Sequence, residues 1–148
     1  MEYIPAPERE FMDFSTINWV GVVVAFVANF IAGAVWFGPK TFFPVWWKAM
    51  GKSPEEQPGN NSMGVVFGST AAGAFVTTVV MALLVGATNT DSAASGAVLG
   101  LTVGVGFSAA QSLSHRLFGG HGFKVWAIEV GSDILNVVIV GTILGAFH

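Results

Sequence analysis

Glu129, Asp133 and Asn136 are spaced by four and then three residues, which on a helix places all three side chains on one face. They interrupt a stretch that is otherwise apolar, and carboxyls inside such stretches characteristically carry protons or hold cations. Two acids one turn apart in a poorly solvating medium interact strongly enough to titrate as a coupled pair. A second polar face, Ser108, Gln111, Ser112 and His115, recurs at helical spacing upstream, and Asn29 stands alone in the first apolar stretch. At ~1.5 Å of rise per residue, Asp133 lies about 12 Å inward from Val125 and Asn29 about 12 Å inward from Phe37. Ser69 and Thr70 fall at comparable depth, and Gln111 and Glu129 fall shallower. The sequence therefore predicts one polar layer built from Glu129, Asp133, Asn136, Asn29, Gln111 and His115.

Several other chemistries are excluded by residue type. The chain has no Cys, so disulfides, thiolate metal sites and thiol nucleophiles are absent. No nucleophile elbow, phosphate-binding loop, dinucleotide fingerprint or HExxH zinc motif occurs. His115 and His121 flank a Gly-rich turn and read as wet structural histidines rather than a metal pair. No enzyme activity, cofactor or metal is expected. A net charge of −3 argues against a nucleic-acid partner, which would need basic clusters.

The elements that must position the polar layer are membrane spans. Only 10% of the 148 residues are charged, against about 25% in soluble domains, so lipid is the solvent that fits the remainder. Four apolar stretches, at residues 17–37, 64–87, 94–115 and 125–147, each approach the ~20 residues that cross a bilayer as a helix. In lipid only helices and closed barrels satisfy every backbone polar group, and these stretches lack the alternation of barrel strands. The expected fold is all-α: a polytopic membrane protein with four transmembrane helices in a bundle. A polar N-terminal segment, residues 1–16, precedes the transmembrane domain at 17–148; it is acidic, carries Pro5 and Pro7, and does not read as a cleavable leader.

Lys40, Lys48 and Lys52 lie in the first connection and Arg116 and Lys124 flank the third, whereas the short second connection, Thr88 to Ser92, has no basic residue. The positive-inside rule then places the first and third connections in the cytoplasm and both termini outside, in the cell (inner) membrane. Phe42 to Met50 is dense in aromatics and is expected to form a short interfacial helix. Trp36, Trp46, Trp47 and Trp126 are the chain's candidate interfacial anchors at headgroup level.

Small residues repeat every four positions: Gly96, Gly100 and Gly104 in the third span, Gly141 and Gly145 in the fourth, and Gly21, Ala25, Asn29 and Gly33 in the first. Gly64, Gly68 and Ala72 continue the pattern in the second. Such stripes let helix backbones approach closely, which in lipid replaces hydrophobic burial. The expected partners are the bilayer itself and, through surplus stripes, a second copy or a larger membrane complex.

The run Gly33-Ala34-Val35-Trp36-Phe37-Gly38-Pro39, followed by Phe42, Trp46 and Lys48, resembles the signature after the first span of the domain of unknown function 1761 (DUF 1761) family. Asn18-Trp19 fits the start of that span, and Phe118 through Trp126 and Ile128 to Gly141 and Leu144 resembles the family's last helix. Phe43 and Pro44 depart from it, standing where a Gly-Lys pair is usual. The resemblance implies a small four-helix prokaryotic membrane protein and no stated activity. Two functional expectations follow from the residues: a small transporter or channel-like protein with an intramembrane acidic site, or an accessory subunit whose polar layer only packs helices.

Overall fold

A computed structural model describes residues 12–57, 59 and 61–148. Glu2, Glu8, Arg9 and Glu10 of the N-terminal segment lie outside the described residues. The chain runs through α1 (Trp19–Trp36), α2 (Phe43–Ala49), α3 (Met63–Ala87), α4 (Ala93–Val103), a π-helical stretch (Gly104–Ala109), α5 (Ala110–Phe118) and α6 (Gly122–Ala146). Among the described residues there is no strand. α4, the π-helical stretch and α5 form one continuous helix, so four helices are long and apolar enough to cross a membrane. The chain is a multi-pass membrane protein.

Local chemistry explains the helix limits. Asn18, Ser62 and Ser92 cap α1, α3 and α4, each accepting from a backbone N–H of the first turn, and Ser92 and Ser95 close a reciprocal capping box. Pro44 occupies the first turn of α2, where its missing N–H costs nothing. The third helix extends to Phe118, one turn deeper into the loop than residue 115, because nothing breaks it before Gly119-Gly120; Gly120 and Gly122 then adopt positive φ to reverse the chain.

The closest helix crossing is that of α4 with α6. A Cβ built on Gly96 would overlap the carbonyl of Gly141, one on Gly100 would overlap that of Val137, and one on Gly145 would overlap that of Ser92. Only glycine allows this backbone-on-backbone approach, and van der Waals contact at that range is what holds helices together in lipid. α1 and α6 run antiparallel, pinned at both ends. Asn18 Nδ2 donates to the carbonyl of Phe147 at 2.9 Å, and Trp36 Nε1 donates to that of Ile128 at 3.0 Å.

Packing is uneven along the bundle. At the end carrying the second connection, Ile17, Val22 and Ala25 meet Met81, Ala82 and Val85, with Val140 and Leu144 between them, in one buried cluster. At the opposite end the first half of α3 leaves the bundle. None of its residues from Met63 to Thr77 is buried, and a Cβ on Gly68 or Gly73 would meet nothing within 4 Å. The reason lies in side-chain size. Gly68, Ser69, Thr70, Ala71, Ala72 and Gly73 cannot fill the space that Met81 and Val85 fill one helical stretch later.

Candidate functional site

The divergence of α3 opens a cleft of about 710 Å³ between α1, α3 and α6, with the π-helical stretch at its side. Asn29, Gly33 and Phe37 contribute one wall, Val66, Phe67 and Thr70 a second, and Ser132, Asp133, Asn136 and Val137 a third; Ser108 reaches in from the π-helical stretch. A Phe26–Phe75 edge-to-face contact, with ring centroids 5.9 Å apart, ties α1 to α3 beside it.

The polar groups of the cleft are poorly matched with one another. Asn29 is only 5% exposed, yet its side chain has no hydrogen-bond partner among the described residues. Asn136 Nδ2 donates a long 3.5 Å bond to Ser132 Oγ, while Asn136 Oδ1 is buried without a partner. Asp133 is exposed to the cleft, accepts no hydrogen bond and forms no ion pair among the described residues. Buried polar atoms are normally satisfied, so the partnerless Asn136 Oδ1, beside an unpartnered Asn29 and an exposed, unpaired Asp133, marks this cavity out from an ordinary helix contact.

Glu129 belongs elsewhere. Its Oε2 lies 2.6 Å from Arg116 Nε, and its Oε1 accepts from Trp46 Nε1 at 3.0 Å. Arg116 lies just past residue 115, where the sequence ends the third span, and so falls by sequence in the connection rather than beside Glu129. Carried one turn further, the helix places Arg116 across the Gly119–Gly122 turn from Glu129. A basic residue in a helix's last turn also suits its macrodipole, and that position was the available signal. Gln111 and His115 are exposed on α5, and neither lines the cleft. The polar layer therefore divides into a cleft group (Asn29, Asp133, Asn136) and an end group (Glu129 with Arg116 and Trp46). Ser132 and Thr77, which the sequence reading did not single out, join the first.

The tryptophans serve the same division. Trp36 binds the Ile128 carbonyl, Trp46 binds Glu129, and Trp47 donates to Ser53 O at 2.8 Å. Trp126 donates to Ala109 O at 3.3 Å and Ser112 Oγ at 3.2 Å. All four indole N–H groups are spent inside the protein, locking α2 and the turn before α6 onto the bundle. Trp36 also stacks on Phe42 at 4.4 Å, which fixes the entry to α2.

Gly33 faces the cleft, where a Cβ would meet only Asn136 Nδ2 at 3.7 Å, whereas Gly104 packs on Ile134 and Val137. Among the described residues no group of three or more His, Asp or Glu side chains gathers as a metal would need.

The family model for "Protein of unknown function (DUF1761)" matches residues 20–145, from the second residue of α1 to the last but one of α6. The chain belongs to the DUF1761 family. No curated protein and no solved structure matches it. The DUF1761 match spans both the cleft and the Arg116–Glu129 pair, so the site lies wholly within the family domain.

Proposed function

We propose that this DUF1761 protein is a small transporter or channel-like protein whose ionisable centre is Asp133. The observation that carries the reading is the state of that carboxyl: it faces an open cleft inside a membrane span, with no hydrogen bond and no counter-ion among the described residues. A carboxyl serving as helix glue would be covered and hydrogen-bonded, as the partly buried Glu129 is through Arg116 and Trp46. Intramembrane acids that reach a cavity mark pathways for protons or cations. The cleft lies toward the end that carries Lys48, Lys52 and Arg116, which the positive-inside rule assigns to the cytoplasm. The site then opens from the cytoplasmic half of the inner membrane, below the sealed cluster around Met81.

Ion flux in proteoliposomes tests this, with proton and monovalent-cation gradients across wild type, Asp133→Asn and Glu129→Gln. Flux in wild type and Glu129→Gln that disappears in folded Asp133→Asn is the expected result. No flux in any sample, with Asp133→Asn folded and stable, removes the pathway and leaves the cleft group without a transport role.

A further inference from the structure

The walls of the cleft restrict what can occupy it. Phe30, Phe37, Val66, Phe67 and Val137 make most of the lining apolar, so the body of any occupant must be apolar too. Among the described residues Asp133 is the one charged residue in that lining, and no Lys, Arg or His accompanies it. An anionic headgroup or free phosphate would meet a carboxylate with nothing to offset it. A neutral lipid chain would offer no partner to Asp133, to Asn29 or to the buried Asn136 Oδ1. A bare inorganic cation fits no better. Hard cations take about six to eight oxygen ligands, and among the described residues no group of three or more acidic or His side chains gathers to supply them, Asp133 being the one carboxylate here. Nor does size favour a bare ion: about 710 Å³ lies within the ~300–1,000 Å³ typical of sites for drug-sized molecules.

We infer that the cleft binds a hydrophobic organic monocation, an amine or onium ion with an apolar body, whose charge is met by Asp133 and the faces of Phe30 and Phe67. Aromatic faces attract such cations through their ring quadrupole. The amides supply the remaining polarity: Asn29 is nine-tenths buried and unpartnered at the cleft wall, and the buried Asn136 Oδ1 is an acceptor for an ammonium N–H. This assignment rests on the reading of Asp133 as the ionisable centre and narrows its substrate class.

The experiment is calorimetric titration of the full-length protein in nanodiscs, against an empty-nanodisc blank. Tetraphenylphosphonium is the probe, and tetraphenylborate is the anion of matched shape. Expected are saturable one-to-one binding of the phosphonium and none of the borate. Asp133→Asn should weaken phosphonium binding at least tenfold, and Glu129→Gln should shift it less than twofold. Gly33→Leu, which fills the cleft from a position where a Cβ meets only Asn136 Nδ2 at 3.7 Å, should also weaken it at least tenfold. It keeps the test decisive if Asp133→Asn fails to fold. Equal binding of both ions, affinity unmoved by either cleft variant, or no saturable phosphonium binding would overturn the inference. If Asp133-dependent proton flux persists without phosphonium binding, the substrate class falls and the pathway stands. Phosphonium binding without any flux has the opposite meaning.

Discussion

Arg116 Nε lies 2.6 Å from Glu129 Oε2, across the glycine turn that joins the third and fourth spans. That contact separates two carboxyls which the sequence places one helical turn apart. Glu129, 17% exposed, is held by a guanidinium and an indole N–H, while Asp133 one turn further in has neither. A partly buried carboxylate with two donors ties helices together, whereas the carboxylate on the cleft ties nothing among the described residues. The same helix face thus carries both kinds of acid.

Removing one partner of the end group should cost more than removing both. Arg116→Ala leaves Glu129 with only Trp46, and Glu129→Ala leaves the guanidinium without its acceptor. A double-mutant cycle on Arg116 and Glu129 is expected to give a coupling of about 1–2 kcal/mol, above the usual surface pair because Glu129 is largely covered. Thermal unfolding of the four proteins in detergent measures it. A coupling near zero would mean that the pair contributes nothing beyond its separate side chains.

The spans were legible because lipid imposes one simple rule, apolar length, on every residue in them. The capping residues Asn18 and Ser92 and the reversal at Gly119-Gly120 are local signals of the same kind. Which polar residues meet was not legible, since depth along a helix can be counted but rotation about its axis depends on packing. Asn29 and Asp133 came to one cleft because α1 and α6 are pinned at Asn18–Phe147 and Trp36–Ile128. Gln111, which the sequence places shallower beside Glu129, is turned outward on α5. The cleft itself has no sequence motif. It arises where Gly68 to Gly73 of α3 are too small to bridge to α1.

Glycines of equal spacing should differ sharply in their tolerance. Gly96→Val or Gly141→Val forces a side chain into the opposing backbone, which cannot withdraw without separating α4 from α6. The expected loss is about 3 kcal/mol or more, the upper range for overpacking, seen as loss of monodisperse folded protein on size-exclusion chromatography. Gly68→Ala, on a helix face with nothing within 4 Å, should elute and melt as wild type or better. Equal behaviour of the two sets would contradict the crossing described.

Trp36→Phe keeps the stack on Phe42 and deletes only the N–H that reaches Ile128 O. A net cost of about 0.5–1.5 kcal/mol is expected, read as a lowered unfolding midpoint. Trp46→Phe, which removes a donor to a carboxylate, should cost more, about 1.5–3 kcal/mol. The reverse order would show that Trp46 does not support Glu129.

Because the chain has no native Cys, single cysteines report sidedness without background. Asp91→Cys in the second connection and Glu55→Cys in the first, both exposed, are the informative pair. With both termini outside, an impermeant maleimide on intact cells should label Asp91→Cys and reach Glu55→Cys only after lysis. The opposite pattern would invert the topology and place the cleft toward the cell exterior.

Asp133 supplies the sharpest contrast between stability and function. A carboxyl near a span's centre costs roughly 2.5–3.5 kcal/mol on insertion scales, and here no donor or cation among the described residues offsets it. Asp133→Leu removes that cost, and its side chain extends into an open cleft instead of a packed contact. The variant should therefore melt no lower than wild type, and up to several degrees higher, while losing flux and cation binding together. Residues retained against stability are those that function requires. A marked fall in the melting temperature of Asp133→Leu would instead show that the carboxyl holds the helices together, and would return it to the role that Glu129 fills one turn away.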